Sequence, residues 1–219
     1  MFSTDLIARL DECLQTFPHH WDGKAAITEM REGGSRNWRQ MEWIGWYFEY
    51  LCQTRLVDAL TIPGPTYGSA SFDGFHEAPW DFKAHASNTS SHRIIVNDLE
   101  AIQEACEQYH AVGLILAVGE VVYNDRETRA FQKWHDEFKG GESDYVKARK
   151  ERGAWSRLRK VEMTLQEIHL VRVDLGLVSR SGRFQKGFRN ADGSARRAKL
   201  VIDLEHLDDE IIRTIKFSG

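Results

Sequence analysis

Asp73, Asp81 and Lys83 are the residues of this chain whose types and spacing could do chemistry together. Asp81 and Lys83 stand two apart in Trp80-Asp-Phe-Lys-Ala-His85, a segment otherwise apolar or small, and a strand there puts both on one face. If residues 69–75 pair with it as a hairpin joined by His76-Glu-Ala-Pro79, Asp73 approaches the same face. Two carboxylates held close repel unless positive charge sits between them. Mg²⁺ meets that need, because it takes one or two carboxylates together with waters and phosphate oxygens, and Mn²⁺ is expected to substitute for it. A lysine beside such an ion can orient or deprotonate an attacking water and offset charge on a phosphorane-like transition state. The bland alternative is a surface strand with a salt-bridged Asp–Lys pair. His85 continues the same face as an optional contact to a phosphate or a metal-bound water.

The pattern Phe72-Asp73-Gly74 … Trp80-Asp81-Phe82-Lys83-Ala84 resembles the signature of the PD-(D/E)xK nuclease superfamily, best known in type II restriction endonucleases. The resemblance implies that Asp73 and Asp81 bind metal and that Lys83 assists the water. Phe72 stands where that pattern has proline, and the seven residues between the aspartates demand a tight hairpin. Members of the superfamily often carry a supporting glutamate on a helix before the hairpin. The segment Ile44-Gly-Trp-Tyr-Phe-Glu-Tyr-Leu51 resembles that helix, with Glu49 in the expected place as a third catalytic and metal-supporting residue. Glu42, two turns earlier on roughly the same face, is the second-tier choice. Either glutamate is costly to bury without a partner, which could be the metal, Lys83, or an arginine such as Arg39 or Arg55.

The elements that would position these groups follow from periodicity. Residues Asp5–Phe17 read as an amphipathic helix ended by Pro18, with His19–Gly23 as a break and 31–38 as a loop. Arg39 to about Leu60 is apolar nearly all round and predicts a buried helix. Asp98 caps a helix to Tyr109, and the continuous apolar run in Ala111–Val122 predicts a strand covered on both faces. Residues 124–159 read as broken helix, 167–173 and 200–204 as strands, 180–198 as a basic loop or hairpin, and the C-terminus as a helix. The expected fold is α/β: one domain over residues 1–219, with a central mixed sheet flanked by helices, restriction-endonuclease-like as the resemblance implies.

The formal net charge of −4 hides an asymmetry. Tyr145 to Lys199 holds 15 Lys/Arg against 5 Asp/Glu, a net of +10, while the remainder holds 14 against 28, a net of −14. Local charge sets the field that a polyanion feels. Lys147, Arg149, Lys150, Arg152, Arg157, Arg159 and Lys160 form one expected DNA-contacting cluster, with Arg183, Gln185, Lys186, Arg189, Asn190, Arg196, Arg197 and Lys199 as the second. Basic groups supply affinity for phosphates; Gln185, Asn190 and nearby arginines could read base edges. A solvated basic face is the alternative for either cluster alone.

With the resemblance, these residues imply a Mg²⁺-dependent double-stranded DNA endonuclease. The expectation is a type II restriction enzyme that cuts phosphodiester bonds at a short specific sequence, as a homodimer matching two antiparallel strands. A catalytically inactive nucleic-acid-binding protein, a modification-dependent or repair nuclease of the same fold, and a metal-using hydrolase of another substrate are the alternatives. No GxxxxGK[ST], GxSxG, HExxH or GxGxxG occurs. Cys13, Cys52 and Cys106 are odd in number and widely spaced, which argues for reduced, mostly buried thiols. With no apolar run near the roughly 20 residues of a membrane span and no signal-peptide pattern at the start, a cytoplasmic protein without a membrane partner is expected.

Overall fold

The computed structural model describes residues 2–142, 144–154, 157–185, 188, 189, 193 and 196–217. In chain order the elements are α1 (Thr4–Gln15), β1 (His20–Asp22), α2 (Gly23–Glu32), α3 (Trp43–Arg55), β2 (Thr66–Tyr67), β3 (Ala70–Ser71), β4 (Gly74–His76), β5 (Ala78–Ala86), β6 (Arg93–Asp98), α4 (Leu99–Tyr109), β7 (Val112–Tyr123), α5 (Ala130–Phe138), α6 (Asp144–Glu151), β8 (Lys160–Val173), α7 (Leu175–Arg180), β9 (Gly182–Phe184), β10 (Lys199–Asp203) and β11 (Ile211–Lys216). The architecture is mixed α/β. A central sheet runs β1-β8-β7-β5-β4, with β11 also on β8, and a smaller sheet runs β6-β10-β9. β5 and β7 are parallel, whereas β4–β5 and β7–β8 are antiparallel.

The central sheet separates two apolar clusters, as expected of strands buried on both faces. Ile115, Ala117, Trp80 and Phe82 face α1, α2 and α3, together with Leu10, Ile27 and Phe48. Leu114 and Leu116 face the other way, toward Phe72, Ile102, Leu177, Leu200 and Ile202. The alternation of β5 therefore sends Trp80, Phe82 and Ala84 into the first core. It turns Asp81, Lys83 and His85 toward the second, in register with Leu114, Leu116 and Val118.

Several expectations need correction. α3 runs only from Trp43 to Arg55; Arg36–Arg39 is a separate 3₁₀ turn, and Leu56, Ala59 and Leu60 pack as buried turns that mimic helical spacing. The expected break at 19–23 contains β1, whose Trp21 is buried, and Asp22 then caps α2 by accepting from the Ala25 amide at 2.8 Å. The first hairpin strand is split into β3 and β4, and the turn tightens around Glu77, whose φ is 62°. β8 starts at Lys160, seven residues before its expected start, because Val161, Met163 and Leu165 alternate with polar neighbours. The expected C-terminal helix is two 3₁₀ turns and β11. β-branched Ile211, Ile212, Thr214 and Ile215 suit a strand, and β8 offers them an edge to pair with.

Candidate active site

β4 accompanies β5 only as far as the Gly74–Trp80 pair. Beyond that point the edge of β5 opposite β7 is open, and Asp73 takes over. Its backbone N–H donates to the Trp80 carbonyl at 2.9 Å. Its Oδ2 accepts the Phe82 amide at 2.7 Å, standing in for the carbonyl of a missing strand. Lys83 folds back to donate from Nζ to the Phe82 carbonyl at 3.1 Å, and the same Nζ lies 2.5 Å from Asp81 Oδ2. Asp81 is 2% exposed, and Oδ2 has this ion contact but no hydrogen bond of regular geometry. α3 packs on the opposite face of β5, and its half-buried Glu49 lies near enough to feel the Lys83 and Asp81 charges; Gln53, one turn on, donates to Glu49 Oε1 at 3.0 Å.

The electrostatics tie these groups into one cluster. Burial pushes the Asp73 carboxyl up to about 8, with the Asp81 charge adding to it and Lys83 opposing. Burial also raises Glu49, helped by Asp81 and resisted by Lys83 and Gln53. Burial disfavours the charged Lys83, yet Asp81, Asp73 and Glu49 outweigh it and raise its pKa. Even the buried Cys52 thiol, pushed up first by burial, feels Asp73 and Glu49. Three carboxylates thus share one ammonium, and Asp73 answers the deficit by favouring its neutral form.

That imbalance defines what the site can accept. Asp73, Asp81 and Glu49 are hard oxygen donors of the kind Mg²⁺ prefers, and Asp81 Oδ2 lacks a hydrogen bond. The chemistry of these oxygens is that of divalent-cation ligands. Among the described residues no group of three or more His, Cys, Asp or Glu side chains is already gathered as a ligand set. Lys83 holds Asp81 instead.

The structure brings together Glu49, Asp73, Asp81 and Lys83 from the expected set, and places His85 on the same strand face. Glu42 is not with them. It precedes α3 and forms an ion pair with Lys160 at 3.0 Å, its side chain largely exposed. The seven-residue spacing to Glu49 therefore does not lie on one helix. Gln53 and the Phe82 amide were not anticipated; the i, i+4 spacing of Glu49 and Gln53 was the available signal for the first.

The basic segments separate. Lys147, Lys150, Arg152 and Arg157 are exposed and Arg149 is half-buried, on or after α6, and Lys160 opens β8 opposite Tyr123. Lys147 pairs with Asp144 at 3.5 Å, and Lys150 with Glu142. Arg159 is no surface contact: it is 3% exposed, with Nη2 donating to Asp136 Oδ1 and Nη1 against His135 Nδ1, both at 3.0 Å. It belongs to the packing of α5 and cannot meet DNA. Arg183 and Lys199 lie on the small sheet, with Arg196 and Arg197 leading into it. Gln185 follows β9 with φ 65°, Arg189 Nη1 donates to the Gly193 carbonyl at 2.7 Å, and Lys186 and Asn190 lie outside the described residues. The cysteines are free, with Cys52 and Cys106 buried. No helix among the described residues is long and apolar enough to cross a membrane. No family model matches the chain, nor does any curated protein or any solved structure.

Proposed function

We propose that the chain is a Mg²⁺-dependent endonuclease of double-stranded DNA with a restriction-endonuclease-like fold, acting as a type II restriction enzyme and as a homodimer. The observation that carries the reading is the excess of carboxylate over cation at the open edge of β5, where Glu49, Asp73 and Asp81 meet a single lysine. These three carboxylates would hold the ion, and Mn²⁺ would serve in its place. When bound, the metal supplies Lewis-acid stabilisation of charge on the phosphate. Lys83, released from Asp81 to a water or a phosphate oxygen, orients the nucleophile and balances developing negative charge. Phe82, gripped at both its amide and its carbonyl, holds Asp73 and Lys83 to one point of the strand. Arg183, Arg196, Arg197 and Lys199 supply contacts to the polyanion. A modification-dependent or repair nuclease differs from this reading only in the DNA that is chosen.

One observation favours a second reading, a DNA-binding protein without catalysis: the Lys83 ammonium already lies 2.5 Å from Asp81, so that carboxylate is compensated without a metal. Purified protein incubated with mixed-sequence plasmid and with methylated and unmethylated genomic DNA, in Mg²⁺, Mn²⁺ or EDTA, separates the two. Metal-dependent fragments that disappear in Lys83→Ala support the nuclease. DNA bound but uncut under every condition supports the second reading.

A further inference from the structure

A cavity of about 300 Å³ opens on the face of β5 that carries Asp81 and Lys83, lined by His85, His92, His169 and Glu205 and walled by Leu116, Val118 and Ile211. His85 follows Lys83 by two residues on the same face of β5, roughly 7 Å along the strand. We propose that this cavity receives an unstacked nucleobase of the DNA strand that lies at the carboxylate cluster. The inference rests on the DNA-cleaving reading.

The lining selects the occupant. Among the described residues neither lysine nor arginine lines the cavity, and Glu205, 3.8 Å from His92, is the carboxylate at its rim. A phosphate finds no fixed cation there. Aliphatic walls and imidazole rings instead suit a flat heterocycle. His169 is already engaged, with Nδ1 at 3.0 Å from Thr214 Oγ1 and Nε2 at 3.2 Å from Glu167, and Lys216 also acts on it. His85 is engaged at one side only: the Ser91 backbone hydrogen-bonds to the ring, while Nε2 is buried without a hydrogen-bond partner. Burial lowers the pKa of both His85 and His169, and Lys160 and His92 push His85 the same way. The free Nε2 of a neutral imidazole has one hydrogen bond to make with the edge of a base. Drawing a base out of the stack is unfavourable, and stacking and hydrogen bonding inside such a slot can offset that.

The test uses the full chain with Ca²⁺ in place of Mg²⁺. Free nucleosides and inorganic phosphate are titrated while the imidazole signals are followed by NMR. Duplexes carrying 2-aminopurine at successive positions report unstacking by fluorescence. The expected result is a saturable shift of the His85 ring with nucleosides and none with phosphate. At one position, 2-aminopurine emission should rise severalfold. Val118→Phe and Ile211→Trp fill the slot from different walls, and whichever remains folded by thermal unfolding should lose both signals. Absence of both signals in the wild type, or their persistence in a folded filled variant, overturns the proposal. Nucleoside shifts without any 2-aminopurine response overturn the strand-bound base and leave a free nucleoside as the ligand. Neither readout needs cleavage. A protein that cuts DNA without these signals sinks this inference alone, and one that gives them without ever cutting sinks the nuclease reading alone.

Discussion

Two carboxylates in this molecule, the buried Asp136 and the half-buried Asp73, are surrounded by opposite balances of charge. Asp136, on α5, faces two cations: Arg159 at 3.0 Å and Lys139 at 2.9 Å. Burial works to raise its pKa, but those two partners more than cancel it and hold the carboxyl below the usual range. At β5 three carboxylates face one lysine, and Asp73 is driven up to about 8. The first arrangement is closed, since its carboxylate already has more cation than it needs. The second is open, with a standing demand for positive charge. A buried acid–base pair alone therefore says little about function, and the ratio of anions to cations around it says more.

The sharpest way to break this contrast is Arg159→Ala. It removes the guanidinium from Asp136 and His135 while Lys139 stays on Asp136, and should cost about 1.5–3 kcal/mol of stability in urea unfolding. The loss should be the same with or without DNA. A variant that unfolds normally but binds DNA poorly would return Arg159 to the binding surface.

Lys83→Ala is the counterpart at the open site. Loss of the group that balances transition-state charge should slow plasmid cleavage by about 10²–10³-fold, as measured by nicking rate at saturating Mg²⁺ and at a temperature where the variant is folded, because Asp81 also loses its cation.

The pH dependence separates the two carboxylates further. Asp73 has its folded pKa raised from 3.8 to about 8, so the folded state holds a proton there that the unfolded chain has released. Its contribution to stability in EDTA is greatest below about pH 4, declines as pH rises toward 8 and is flat beyond. Chemical unfolding across that range should show this slope in the wild type and a shallower one in Asp73→Asn. Mg²⁺ should stabilise the protein more at pH 8 than at pH 6, because binding must displace that proton. Asp136, lowered, contributes in the opposite sense, losing stability as pH falls.

Smaller effects test the surface. Arg183→Ala should weaken DNA binding uniformly across sequences and reduce the slope of log affinity against log salt by about 1, read from binding isotherms at several salt concentrations. Glu42→Ala removes an exposed pair with Lys160 and should change unfolding stability by less than about 1 kcal/mol. A loss of cleavage in that variant would bring Glu42 back to the metal site.

Much of the candidate site was legible because strand geometry is local. A period of two put Asp81, Lys83 and His85 on one face whatever the rest of the chain did, and the apolar run in Ala111–Val122 announced β7, covered on both sides over its first part. Glu49 was legible through the resemblance of its segment to the glutamate-bearing helix of the PD-(D/E)xK superfamily. Local patterns misled where a tertiary partner decided the outcome. Arg159 sat inside a run of basic residues yet is buried, since α5 supplies Asp136 and His135. The C-terminal segment became β11 because β8 had a free edge.

The sequence by itself determined which residue types could do chemistry, their alternation along β5, and the charge asymmetry between the two parts of the chain. Only the tertiary structure decided that Asp73 caps the Phe82 amide at an open strand edge, that Glu49 joins the cluster while Glu42 pairs elsewhere, and that an apolar slot opens beside His85. The reason is physical: side-chain direction follows from backbone period within a strand. Burial, ion pairing and the shift of a carboxyl to about 8 depend on groups that only folding brings together.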